Sequence, residues 1–341
     1  MPEIEKADVD LINNNLSPQA GQSKPIAVLA SNNKRYLLKQ QIVNLPSQPN
    51  TNENAVFMQE LFVYQLAVHL NIPVPGFAIL NIEEELIDEN KDYLFAKHLK
   101  PGLYFGTEML PNVENNLVDN YVKEFQHRKP YIIKSWNTYF RNVVNSDMYA
   151  DIIALDFLTL NEDRFNNGGN LLVASNEQQE RKVYAIDFGH CFLSPFWNEE
   201  KIRLFHLLLD SKTSNDSQKF SNSVVDKFLA DSMKFGPAQG FGKIFRAMES
   251  NIKFNDGNPF NEIVNKISNI SDITLLNMLQ SIPSEWVVGS EMQLNMYLKF
   301  ISRQKFLVQS MLNRMYSLGA FSNSLGGDLQ WQTDTAFGMQ L

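Results

Sequence analysis

Cysteine occurs once in 341 residues, at Cys191, so the chain closes no internal disulfide and offers no cysteine-rich zinc site. Set between His190 and Phe192, that thiol reads as a small buried hydrophobe. The five histidines, His69, His98, His127, His190 and His206, lack the paired spacing of metal ligands, and each reads as a packed or surface side chain. Apolar runs are short: none approaches the roughly 20 residues that a membrane span needs. The start, Met1-Pro2-Glu3-Ile4-Glu5-Lys6, lacks the basic-then-apolar layout of a secretory signal, and the expected location is the cytoplasm. Positive charge is in deficit. With 30 Lys and Arg against 38 Asp and Glu, the formal net charge is −8, which argues against a broad nucleic-acid surface built on clustered cations. The one basic neighbourhood, Gln126-His127-Arg128-Lys129 with Lys134, reads as a solvated face. Neither a membrane nor direct nucleic acid is expected as a partner.

What is present is enough apolar material, 44% of residues, for one large or two ordinary domains. Residues 1–24 are polar and end in Ser17-Pro18-Gln19-Ala20-Gly21-Gln22-Ser23, the composition of a loosely packed arm. Pro25 to Ala30 and Arg35 to Val43 are strand-like runs joined by the turn Ser31-Asn32-Asn33-Lys34. From about Asn52 to Asn71 the spacing becomes helical, with Phe57, Leu61, Tyr64 and Val68 on one stripe, until Pro73 and Pro75 stop it. Phe77 to Ile82 and Tyr93 to Ala96 read as two further strands about an acidic loop, Glu83-Glu84-Glu85. Beyond Lys100-Pro101-Gly102 the segments are helical, around Val118 to Phe125, Ser135 to Val144 and Met148 to Leu160. After Glu199 helix dominates, ending in one long helix through Leu294, Ile301 and Met311. The division is therefore an arm over 1–24, a small sheet lobe with one helix over 25–100, a mainly helical lobe over 101–321 and a flexible tail over 322–341.

The chemistry concentrates in Leu160-Asn161-Glu162-Asp163-Arg164-Phe165-Asn166-Asn167-Gly168-Gly169-Asn170-Leu171-Leu172-Val173 and in Val183-Tyr184-Ala185-Ile186-Asp187-Phe188-Gly189. An acidic residue in a polar loop, an Asn entering an apolar strand and an Asp leaving another are the parts that orient a hydroxyl and hold Mg²⁺ against ATP. Asp163 follows an apolar helix, where a carboxylate within reach of a substrate hydroxyl can accept its proton; alone, an Asp here reads first as a loop cap beside Arg164, and the features that follow reverse that reading. Asn170 precedes a strand, where an amide oxygen suits a hard cation and a turn residue is the equal alternative; Gly189 lets the backbone turn so that Asp187 is aimed at a metal, and a β-turn without metal uses the same residues. Lys39 lies among apolar residues, where an ammonium needs a carboxylate, and Glu60 flanks the buried stripe of the helix that follows. Two solvated charges are the alternative for that pair.

Four segments together resemble the HipA-like kinases, a branch of the protein-kinase-like superfamily that is also similar to the phosphatidylinositol kinases. They are Tyr36 to Lys39; Gln59-Glu60 through Leu70 to Pro75; Asn161 to Arg164 through Asn170 to Val173 with Ile186 to Gly189; and Ile282-Pro283-Ser284-Glu285-Trp286. The resemblance spans roughly residues 25 to 320. It implies an α+β bilobal kinase fold with ATP and Mg²⁺ between the lobes, a protein Ser or Thr acceptor, and an antitoxin-like partner, because the branch includes toxin components. A lipid or small-molecule acceptor, or a pseudokinase that binds nucleotide without transfer, stays open. Carried over, Lys39 binds phosphates and Glu60 pairs with it, Phe95 and Lys97 join the nucleotide-binding set, Asp163 is catalytic, and Asn170 with Asp187 binds metal, Asn167 standing in reserve. Two departures accompany the likeness: related kinases place the metal-binding Asn five residues after the catalytic Asp, here Gly168, and the turn Ser31-Asn32-Asn33 has no glycine with which to cover phosphates.

Overall fold

The computed structural model describes residues 4–13, 25–45, 48–92, 99–114, 132–209, 214–234 and 241–332. Five strands close a barrel: β1 (Glu5–Ile12), β2 (Ile26–Ala30), β3 (Arg35–Leu38), β6 (Phe77–Ile82) and β7 (Gly102–Glu108), in the order β1-β2-β3-β7-β6. All neighbours are antiparallel except β1 and β6, which run parallel with Glu5 opposite Ala78. Val9, Ile12, Val28, Tyr36, Leu38, Ala78 and Leu80 fill its interior. Within the stretch 1–24 read as a loosely packed arm, Glu5–Ile12 is instead a barrel strand. Lys6, Asp8 and Asp10 point outward from a two-residue alternation, which gives the strand its polar composition. A register shift between Val9 and Leu11 then breaks the alternation, so Leu11 is exposed while Ile12 is buried.

Other boundaries also move. The run Arg35 to Val43 is not one strand: it ends at Leu38, and a hairpin of β4 (Ile42–Leu45) and β5 (Gln48–Asn52) follows. The acidic loop after β6 holds a short helix, α2 (Glu84–Glu89). Barrel strand β7 lies beyond residue 100, inside the stretch that composition assigns to the helical lobe. The strand expected at Tyr93 to Ala96 and the helix expected at Val118 to Phe125 lie outside the described residues.

Helix α1 (Val56–His69) carries more than the amphipathic stripe of the sequence pattern, since every residue from Val56 to Ala67 is buried. It is wedged between the barrel and the helical lobe, so no face remains for water. The helical lobe begins with α3 (Ile132–Phe140) and α4 (Met148–Thr159), the latter buried along nearly its whole length, and continues through the hairpin β8 (Leu171–Ser175) and β9 (Arg181–Ala185). Among the described residues seven helices follow: α5 (Glu199–Leu209), α6 (Ser214–Lys234), α7 (Lys243–Glu249), α8 (Asn261–Ser268), α9 (Asp272–Gln280), α10 (Ser290–Gln304) and α11 (Val308–Ser317). The long terminal helix of the sequence pattern is thus two helices, broken at Lys305–Leu307. Nor is the chain after 322 loose throughout: Ser322 donates to Glu249, Trp331 Nε1 donates to Asn313 Oδ1 at 2.8 Å, and Leu329 is buried.

The segment Ile282 to Trp286 fastens the helical lobe to the barrel. Glu285 Oε1 accepts from Leu103 N at 3.0 Å and Trp286 Nε1 donates to Leu103 O at 3.0 Å, so one short turn satisfies both backbone groups of a strand residue. The Trp286 ring also packs 5.3 Å from that of Phe57, at the start of α1. Trp286 is 3% exposed, so Trp286→Ala is expected to cost about 3–5 kcal/mol and Trp286→Phe, which loses mainly the hydrogen bond, about 1 kcal/mol. Denaturant midpoints of the three proteins check this ordering.

Candidate active site

Lys39 sits where β3 ends, its amide bonded to Phe105 O at 2.9 Å, and its side chain turns toward the helical lobe. The ammonium lies 2.9 Å from Glu60 Oε1 and 2.7 Å from Asp187 Oδ1. Neither charge of the Lys39–Glu60 pair is solvated: Glu60 is fully buried and the lysine side chain 13% exposed. Burial opposes the charge on Lys39, but Asp187 and Glu60 outweigh it and hold the lysine above its ordinary pKa. Burial likewise opposes charge on Asp187, and Lys39 reverses the balance, drawing that carboxyl below its usual range.

Asp187 adopts a left-handed backbone, φ +62°, which a non-glycine residue holds only when its surroundings impose it. Those surroundings are on α1. Glu60 Oε2 accepts from Phe188 N and Glu60 Oε1 from Gly189 N, each at 3.0 Å. A Cβ on Gly189 would stand 3.0 Å from Val56 Cγ1 and 3.2 Å from Glu60 Oε1, so a side chain there would press on α1. The Phe188 ring is buried edge-on to Tyr64, at 5.2 Å between centroids.

Helix α4 ends at a left-handed Leu160, φ +50°, and a single 3₁₀ turn from Asp163 to Phe165 follows. Asp163 Oδ2 accepts from Asn170 Nδ2 at 2.7 Å and from Asn167 Nδ2 at 3.1 Å. The two amides differ on their oxygen side. Asn167 Oδ1 accepts from Gly169 N at 3.0 Å, whereas Asn170 Oδ1 is buried without a partner, a free acceptor of the kind a hard cation takes. Asn170 also lies beside Asp187: Leu171 pairs with Ala185, and Ile186 N donates to Asn170 O at 3.1 Å. The fifth residue after Asp163 is glycine because a side chain has no room there, a Cβ on Gly168 falling 2.0 Å from the Trp136 ring.

Arg164 does not keep company with Asp163. It is fully buried, its Nε donating to both carboxylate oxygens of Asp156 at 3.0 and 2.9 Å, its other arm donating to the carbonyls of Asn170 and Ile186. It therefore ties the two strand ends that carry Asn170 and Asp187, and its guanidinium lies 4.9 Å from the Phe188 ring centroid. The signal for this pair was Asp156 itself, a charge inside the apolar run Ile152 to Leu158. His190 reaches Glu53 at 3.4 Å. Burial resists its charge, but Glu53, helped by Asp187 and Asp163, pushes its pKa up to about 9. Nothing local in the sequence links residues 137 positions apart.

The sequence-derived set Lys39, Glu60, Asp163, Asn167, Asn170 and Asp187 is thus brought to one cleft; Phe95 and Lys97 lie outside the described residues. The turn Ser31-Asn32-Asn33-Lys34 is displaced from it. Ile26 pairs with Leu38, so Lys39 lies at the opposite end of the β2–β3 ladder from that turn, about 13 Å along the strand. Lys34 instead bonds Glu5 at 2.8 Å. The glycine-free turn and Lys39 therefore stand at opposite ends of the same hairpin.

Removing one partner of the buried Arg164–Asp156 pair leaves an uncompensated charge, so Arg164→Met is expected to destabilise by about 3–5 kcal/mol near neutral pH. Asp156 is already pushed up to about 6 by burial despite Arg164; without the arginine it rises further, and the loss shrinks as pH falls and the carboxyl takes a proton. Denaturant titrations at pH 5 and 7.5 read this difference. For His190 the folded pKa lies above the ordinary 6.5, so its stabilising contribution is complete below pH 6.5 and disappears as pH rises through about 9. An NMR titration of its ring is expected to place the midpoint near the upper value and, in Glu53→Gln, to bring it down.

A family model described as HipA-like kinase matches residues 15–234. Among solved structures, a Helicobacter pylori proinflammatory kinase, CtkA, is similar at a TM-score of 0.50 and 12% identity, covering 93% of this chain and 99% of that chain. A Golgi casein kinase with Mn/ADP bound aligns at a TM-score of 0.40 and 13% identity over 93% of this chain and 74% of that one. No significant match is found among curated proteins. The fold is thus the bilobal α+β architecture of protein-kinase-like enzymes, and the chain belongs to the HipA-like kinase family.

Proposed function

We propose that this kinase uses ATP and Mg²⁺ to phosphorylate a Ser or Thr hydroxyl of a protein. The observation that carries the reading is the convergence of Lys39, Glu60 and Asp187 on one buried ammonium, with Asp163 and Asn170 hydrogen-bonded to each other beside it. Lys39, kept protonated and aimed by Glu60, binds the α- and β-phosphates. Asn170 Oδ1 and the Asp187 carboxylate hold the metal, which when bound neutralises charge on the phosphates. The choice of Asn170 over Asn167 follows from the oxygen atoms, since only the first is unengaged.

Asp163 orients the acceptor. Two amides fix its Oδ2, and among the described residues no hydrogen bond engages its Oδ1, which faces the role of accepting the hydroxyl proton. As that proton moves to Oδ1, the acceptor oxygen bonds to the γ-phosphorus and the bond to the β-phosphate oxygen breaks, releasing ADP. The proposal includes a protein acceptor, an antitoxin-like partner and a cytoplasmic setting, as the sequence resemblance implies. No described helix is long and apolar enough to cross a membrane.

Transfer of label from γ-labelled ATP to candidate proteins tests the mechanism. Asp163→Ala and Asp187→Ala are each expected to lower the rate by about 10²–10⁴-fold, Lys39→Met to do so at similar magnitude, and a chelator to abolish transfer until Mg²⁺ is restored. Label transfer indifferent to both aspartate changes sinks the assignment. Nucleotide binding with no transfer to protein, lipid or the chain itself points instead to a pseudokinase.

A further inference from the structure

Lys201, on α5, is 3% exposed, yet its ammonium meets no described carboxylate. It donates to Gln59 Oε1 and to Ser194 O, the latter at 2.7 Å, and it lies over the faces of Tyr297, Phe192 and Phe205 at 5.4, 5.9 and 5.9 Å. Burial pushes its pKa well below that of an ordinary lysine. A methionine would fill the same apolar box without that penalty, so the polar contacts themselves call for a role.

Those contacts lead back to Asp187. Gln59, also fully buried, accepts from Lys201 and, at 2.6 Å, from Tyr297 Oη. Its amide nitrogen then donates to Gly189 O at 2.5 Å and to Ser194 O at 3.2 Å. Gly189 is thereby gripped on both sides by adjacent residues of α1, its N–H by Glu60 and its carbonyl by Gln59. The same helix start holds the segment farther along, where Asn54 exchanges two hydrogen bonds with the Trp197 backbone and Ala55 N donates to Pro195 O. Three non-glycine residues of this segment, Asp187, Phe192 and Leu193, have left-handed backbones, with φ of +62°, +58° and +69°. Such conformations cost free energy and persist only where external contacts over-determine them.

We propose that Lys201 is a positioning residue for phosphoryl transfer, acting through Gln59 to hold Gly189 and with it the left-handed turn that aims Asp187. The proposal rests on the metal-binding role given to Asp187 above. It assigns Lys201 the orientation of the Gln59 amide: with the ammonium on its oxygen, the amide nitrogen must face Gly189.

Two variants test it, Lys201→Met and the milder Tyr297→Phe, with hydrogen exchange by mass spectrometry and steady-state kinetics as readouts. In Lys201→Met the Phe188 and Gly189 amides are expected to exchange about tenfold faster while the barrel strands keep their protection. The kcat is expected to fall about tenfold with KM for ATP changed by less than about twofold, and Tyr297→Phe to move both readouts the same way by about two- to threefold. Unchanged exchange at 188–189 in a folded variant overturns the proposal, as does faster exchange spread over the whole chain with kcat and KM degraded together. Should Lys201→Met not fold, Tyr297→Phe decides by the same exchange measurement. If the wild-type protein transfers no phosphate, the functional reading fails by itself, and the exchange result still decides whether Lys201 holds the turn.

Discussion

The Lys39 ammonium is the point on which the two lobes converge. Lys39 comes from the end of a barrel strand, Glu60 from the helix wedged behind it and Asp187 from the far lobe, and each is costly to bury without the others. Burial away from water strengthens their mutual attraction, and the ion pairs tie the two lobes together through α1. The neighbouring Asn170 oxygen is buried without a partner.

Around that cluster, rigidity is supplied by hydrogen bonds rather than by regular secondary structure. The turn at Asp187 is held by Glu60 and Gln59 on one side and by Arg164 on the other, which spans from the helix residue Asp156 to the carbonyls of Asn170 and Ile186. Loops can carry precisely oriented groups only when buried partners absorb their backbone polarity. Gly168 and Gly189 serve this arrangement by absence, leaving space for the Trp136 ring and for the side of α1.

The sequence made the chemical residues legible because each violates its surroundings: Lys39 in an apolar strand, Asp163 and Asn170 in a glycine-rich loop, Asp187 closing an apolar run. Strand β1 was hidden by the same logic, since its charged residues occupy the solvent face of a short, bulged strand and read as an arm. The glycine-free turn at Ser31-Asn32-Asn33 looked adjacent to Lys39 because the chain is short there, but an antiparallel hairpin carries it to the other end of the ladder. The displacement of the metal-binding candidate to Asn170 was visible as a spacing. Its cause, an indole occupying the site of any side chain at 168, was not.

By itself the sequence determined the candidate polar side chains and most of the strands and helices that carry them, because local periodicity and turn chemistry act over a few residues. Tertiary structure alone decided the distant partners: Glu53 for His190, Gln59 for Lys201, and the backbone of Leu103 for Glu285 and Trp286. Pairing across so many intervening residues depends on where two lobes close upon one helix. No local pattern encodes that distance.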